Sequence, residues 1–149
     1  MSLLLYRICL AEYADKLVAS GKPGRWNREG EQMIYTAGSM ALACLENLVH
    51  RSGASLQADF SVLTLFVPPG ISIAAILDKK LGDDWENKLP LTRQTGSSWL
   101  KKGETAILKV PSAIIQTECN FLLNPIHVNF GDIKIIYKQA FNFDHRLKQ

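Results

Sequence analysis

Cysteine is scarce in this chain: Cys9, Cys44 and Cys119 are the only three in 149 residues, an odd number set far apart. No C-x-x-C pair occurs, which excludes the usual zinc and redox spacings, and their apolar neighbourhoods suit reduced core thiols in a cytoplasmic protein. Histidine is equally sparse. His50, His127 and His145 show no H-x-x-x-H or Cys/His spacing, so no metal site is expected. An excess of charge is missing too: 17 Lys and Arg face 14 Asp and Glu, net +3, with no basic stripe. Direct binding to nucleic acid or to an anionic membrane is therefore not expected. No uncharged apolar run approaches the roughly 20 residues of a membrane helix. The apolar start "MSLLLYRICLAEYADKLVAS" is broken by Arg7 and Glu12 and lacks a basic leading region, so it reads as a strand and not as a signal peptide. Neither a G-x-S-x-G elbow nor a P-loop spacing occurs, and there is no internal repeat or linker.

What is present is the balance of a folded domain, 47% hydrophobic and 21% charged, at a length that suits one core spanning residues 1–149. "SLLLYRI" predicts a strand, followed by a short helix around "LAEYADKLVAS" and a loop opened by Gly21 and Gly24. "MIYTA" between Gly30 and Gly38 predicts a buried strand, and Ser39 is placed to cap a helix over "MALACLENLVHR". "FSVLTLFV", ended by Pro68-Pro69-Gly70, predicts a strand covered on both faces. "SIAAILDKKL" predicts a helix capped by Ser72, and a second short helix is expected near Ser97 to Lys101. "TAILKVPS" and "NFLLNP" predict strands, and "DIKIIYKQAFNF" predicts a half-buried one with Ile133, Ile135 and Tyr137 on its inner face. The pattern is α+β with a mixed sheet.

Few residues stand out chemically. Leu42, Leu45 and Val49 form a helical stripe with Glu46 at its edge, where a solvated or ion-paired glutamate is the common occupant and a catalytic one the alternative. Arg25, in "GKPGRWNREG", lies in a glycine-flanked loop that suits either an ordinary turn or an anion site, because a guanidinium and backbone N–H groups can both approach phosphate there. Tyr35 can stack on a ligand ring or fill core; Ser112, after a proline at a strand end, can reach a ligand or cap local backbone. "LLNPIHVNF" is best explained as a turn with side chains bonded to backbone.

In order, "YRI", "GRWNREGEQMIYTAGSMALACLENLVH", "VPSAI", "ECNFLLNPIHVNF" and "FDHRL" resemble the RES-domain family, from about Tyr6 to Leu147. Val128 and His145 stand where that family carries proline. The resemblance implies a single α+β domain with a fold similar to ADP-ribosyltransferase toxins, acting as the toxin of a bacterial type II toxin-antitoxin pair. It implies NAD+ as substrate, with no other cofactor, and cleavage of the nicotinamide–ribose bond by hydrolysis or phosphorolysis, or transfer of ADP-ribose to a protein. It implies an Xre-type antitoxin partner and a homodimer or larger toxin-antitoxin complex. The family's Arg, Glu and Ser correspond to Arg25, Glu46 and Ser112, expected as catalytic, with Arg7, Tyr35, Trp26 and Asn27 expected to bind substrate. In that chemistry arginine suits the pyrophosphate, Tyr35 the nicotinamide ring, and Glu46 the oxocarbenium-like ribose, while Ser112 would bond the nicotinamide or ribose. A non-catalytic nucleotide- or protein-binding module on the same fold is the competing reading.

Overall fold

A computed structural model describes residues 2–148. Seven strands, β1 (Leu3–Leu10), β2 (Ile34–Ala37), β3 (Phe60–Val67), β4 (Ile73–Ala75), β5 (Ile107–Pro111), β6 (Cys119–Leu123) and β7 (Lys134–Phe141), form one sheet in the order β4-β5-β6-β2-β1-β3-β7. Every neighbouring pair is antiparallel except β4 with β5, so the sheet is mixed, as the α+β pattern predicts. The helices are α1 (Met40–His50), a single turn α2 (Asp78–Leu81) and α3 (Leu89–Lys102).

Alternation along the strands divides the core. Leu5, Cys9, Ile34, Leu63, Leu65, Val67, Ile107, Phe121 and Leu123 pack on one face, covered by loop residues Ala14 and Ile133. The registers Tyr6↔Ala37, Tyr35↔Leu122 and Leu108↔Leu122 put the remaining apolar residues on the other face. There they form two clusters: Ile8, Ala37, Phe60 and Val62 under Leu42 and Ala43 of α1, and Leu108, Val110 and Leu122 under Trp99 of α3 with Trp26 and Trp85. The two main helices thus share a face, and the strip of sheet between them carries Tyr35 and Asn120. Trp26 and Trp85 are each 2% exposed, burial that stabilises by about 2–3 kcal/mol per side chain.

β3, β5, β6 and α1 form where the sequence predicts them, and the Leu42 N–H donates to the Ser39 hydroxyl at 3.1 Å as a helix cap. Val49, expected in the buried stripe of α1, is 56% exposed in the last turn. Four expectations fail for tertiary reasons. The helix around residues 10–20 is one 3₁₀ turn, Ala11–Tyr13, because the following chain spreads over the sheet with Ala14 buried and Leu17 and Ala19 packed beside it. The helix at 72–81 shrinks to α2 because Ile73–Ala75 pair with β5 and the Ile76 N–H continues to the Lys109 carbonyl. The short helix at 97–101 is instead fourteen residues long, with a proline in its first turn and Gly103 at φ 59 as its C-cap. In β7, a bulge between Thr64 and Leu65 pairs these with Tyr137 and Ile135 and skips Ile136; the alternation reverses, Ile133 stays buried and Tyr137 is 58% exposed.

All three cysteines are free, Cys9 buried and the other two half-buried. Among the described residues, no helix is long and apolar enough to cross a membrane.

Candidate active site

The glycine-rich loop is organised from its inside. Asn27, 1% exposed, donates through its amide to the carbonyls of Lys22, Glu31 and Arg28 at 2.9, 3.1 and 3.2 Å. Its Oδ1 accepts from the Gly24 N–H at 2.9 Å and from the Tyr35 hydroxyl at 2.6 Å. The same hydroxyl accepts from the Trp26 N–H at 2.9 Å. A Cβ on Gly24 would lie 2.6 Å from that phenol oxygen, so only glycine permits the approach. Trp26 packs against Trp85 at 5.9 Å between ring centroids. Trp26 and Asn27, expected against substrate, therefore point into the protein and shape the loop.

α3 holds this loop on its outer side. Thr92 donates to the Arg25 carbonyl at 2.7 Å, Arg93 donates through Nε to the Gly24 carbonyl at 2.8 Å, and Gly96 lies so close that a Cβ there would sit 1.7 Å from the Trp26 carbonyl oxygen. Arg25 is half-buried and donates through Nη1 to the Glu86 carbonyl at 2.8 Å. Among the described residues no carboxylate lies within ion-pair distance of Arg25 or Arg93. Burial pushes the Tyr35 phenol up to about 12, against the opposing pull of its backbone hydrogen bonds and of Arg93 and Arg25, so it is neutral at physiological pH. Its hydroxyl is engaged on both sides, donating to Asn27 Oδ1 and accepting from the Trp26 N–H.

Arg7 joins this set from below. β1 and β2 share the single register pair Tyr6↔Ala37, and beside it Arg7 donates through Nη1 to the Tyr35 carbonyl at 2.8 Å, where ladder bonds lapse. Burial lowers the guanidinium pKa from its ordinary value and raises that of the nearby Cys9 thiol.

The second half of the site joins residues far apart in sequence. Ser112 is fully buried at the end of β5, and its hydroxyl donates to Glu46 Oε2 at 3.0 Å. The same oxygen accepts from the N–H groups of Ile114 and Ile115 at 3.0 and 3.1 Å, so its bonding capacity is filled. Glu46 is half-buried on α1, and among the described residues it has no cation partner. The loop after β5 is also tied to the start of α1, where Ser39 donates to Glu118 Oε1 at 3.1 Å. Asn120, buried between the halves, donates to the Thr36 carbonyl at 3.3 Å.

The structure thus gathers Arg7, Arg25, Trp26, Asn27 and Tyr35 into one connected group and Glu46 with Ser112 into another. Tyr35 and Trp26 of the first group and the α1 cluster beside Glu46 lie on the helical face of the sheet, bridged by the two-residue step from Tyr35 to Ala37, about 7 Å along β2. Arg7, paired with Leu63 of the opposite core, reaches the Tyr35 carbonyl from the other side. Thr92, Arg93, Gly96 and Glu118 escape sequence reading because each acts on a segment distant in the chain. The "NPIHVN" segment is the expected turn: Asn124 Oδ1 accepts from the Ile126 N–H and His127 Nδ1 from the Asn129 N–H. Among the described residues no three His, Cys, Asp or Glu side chains gather as metal ligands would. Chemically, the arrangement offers guanidinium donors for an anion at one end and a carboxylate free of counter-charge at the other.

Comparisons with known proteins agree with this architecture. The family model described as RES domain matches residues 4–144. The chain is 33% identical to the Prs ADP-ribosylating toxin of Sphingobium sp. (strain YBL2), covering 90% of this chain and 88% of that toxin. It is also 33% identical to Toxin Res of Yersinia enterocolitica, over 98% of this chain and the whole of that protein. In fold it is similar to a chain of the crystal structure of the M. tuberculosis MbcT–MbcA toxin-antitoxin complex, with TM-score 0.73 at 18% identity, covering 99% of this chain and 87% of that one. With the match extending over nearly the whole sequence, the chain belongs to the RES domain family.

Proposed function

We propose that the protein is the toxin of a toxin-antitoxin pair and that it cleaves the nicotinamide–ribose bond of NAD+, depleting the dinucleotide in the cytoplasm. The observation that carries this reading is Glu46: a half-buried carboxylate without a counter-cation among the described residues, fixed by a buried serine on the same sheet face as the Arg25–Tyr35 group. Such a carboxylate stabilises positive charge developing on a ribose ring.

Arg25 binds the pyrophosphate, with Arg7 supporting Tyr35, and the Tyr35 ring offers a flat surface to the nicotinamide. As the C1′–N bond breaks, its electron pair leaves with nicotinamide, which departs neutral. Glu46 faces the oxocarbenium-like ribose and orients the incoming nucleophile, which forms the new bond to C1′ and, where it carries a proton, releases that proton to solvent. Water, phosphate or a protein side chain can fill that position. The hydroxyl of Ser112 is committed to protein partners, so Ser112 acts through Glu46 as a positioning residue.

A second reading, ADP-ribose transfer to a protein, is favoured by the name of the Sphingobium relative. The test is to incubate the purified protein with NAD+, with and without phosphate and candidate acceptor proteins, and to follow free nicotinamide and labelled protein. Nicotinamide release without labelling supports cleavage; labelling in step with release supports transfer; no release with a folded protein refutes both. An Xre-type antitoxin that covers the site, in a homodimer or larger complex, is the partner we propose.

A further inference from the structure

α3 contributes a second guanidinium to the anion end of the site. Arg93 spends Nε on the Gly24 carbonyl, the peptide oxygen just before Arg25. Its neighbour Thr92 donates to the Arg25 carbonyl, so α3 bonds the carbonyls on both sides of Arg25, while the Arg25 guanidinium itself donates to the Glu86 carbonyl. Each keeps further guanidinium N–H groups beyond its single carbonyl partner, each is half-buried, and neither has a carboxylate within ion-pair distance among the described residues.

Two cations thus meet at the Gly24–Arg25 turn, one from the turn and one from α3, with no carboxylate in ion-pair distance of either among the described residues. A bound dianion supplies the missing counter-charge. A diphosphate offers a negative oxygen to each guanidinium in the planar, paired geometry that arginine favours. We propose that Arg93 is a substrate-binding residue that contacts the diphosphate of the dinucleotide beside Arg25. The assignment rests on the NAD+ reading for its ligand, while the anion site stands on the geometry of Gly24, Arg25 and Arg93.

The experiment is isothermal titration of inorganic pyrophosphate, and separately of nicotinamide, into the wild-type protein, Arg93→Met and Arg93→Lys, with a thermal melt of each. Loss of one charge-assisted contact is expected to weaken pyrophosphate binding by about tenfold or more in Arg93→Met and by less in Arg93→Lys, with nicotinamide binding unchanged. Unchanged pyrophosphate affinity in Arg93→Met overturns the assignment. So does an equal fall in affinity for both probes, the signature of a loop that has merely come loose from α3. Arg93-dependent pyrophosphate binding in a wild-type protein that releases no nicotinamide would retain the anion site and refute NAD+ cleavage. Nicotinamide release with pyrophosphate binding indifferent to Arg93 would refute only the role of Arg93.

Discussion

Ser112→Ala removes one hydroxyl that serves three partners. The N–H groups of Ile114 and Ile115 lose their shared acceptor, and Glu46 loses its donor. Both amides belong to half-buried residues that water can reach in part, so the stability cost is about 2 kcal/mol, from about 1 for each weakened bond. A hydrogen bond to a charged group is worth about 1.5–3 kcal/mol, and partial exposure of Glu46 brings it to the lower end, which as a loss of transition-state alignment is about tenfold in kcat. KM should move little because the hydroxyl does not touch substrate. The assay is initial-rate nicotinamide release across a range of NAD+ concentrations, with a urea melt for stability. The same measurements on Glu46→Gln and on the double variant complete a cycle. If Ser112 works through Glu46, it adds almost nothing in the Glu46→Gln background. Full additivity of the two losses, or a change confined to KM, would refute the positioning role and return Ser112 to direct contact with substrate.

Other outcomes follow from the same geometry. Glu46→Gln keeps the shape of the side chain and removes its charge, so turnover should fall about 100-fold or more with the melting temperature little changed; undiminished nicotinamide release removes Glu46 from the mechanism. Gly96→Ala forces a Cβ to 1.7 Å from the Trp26 carbonyl oxygen, and rigid backbone must part, costing about 3 kcal/mol by denaturant melt; a wild-type midpoint would contradict the packing of α3 on the loop. The folded Tyr35 phenol stands at about 12, above its ordinary value of 10.0, so the unfolded chain loses that proton first. The stabilisation is therefore complete below pH 10 and is lost as pH rises towards 12, by about 2–3 kcal/mol in all. Comparing alkaline melts of the wild type and Tyr35→Phe isolates this contribution: the steeper fall should vanish in the variant.

The elements legible in the sequence are those whose causes are local. Ser39 caps α1 through a bond to Leu42 three residues on, and β3 is an apolar run stopped by Pro68-Pro69-Gly70. Residues 14–33 were not legible in the same way. Asn27 looks like any loop asparagine until folding brings three carbonyls, an N–H and the Tyr35 hydroxyl to its amide. β4 reads as helix because its pairing with β5 lies beyond any local window, and the phase of β7 depends on a bulge in the facing ladder.

By itself, the sequence determined the strand and helix periods, the stops at proline and glycine, and the order of motifs that marks the family. It nominated Arg25, Tyr35, Glu46 and Ser112 without relating them in space. Only the tertiary structure decided that Ser112 meets Glu46 across 66 residues, that Trp26 and Asn27 face inward, and that Arg93 reaches Gly24 from α3. The physical reason lies in range: propensity and capping act over a few residues, whereas the carboxylate, the serine and the two arginines are brought to one face by strand register and helix packing. Those depend on pairings between segments far apart in the chain.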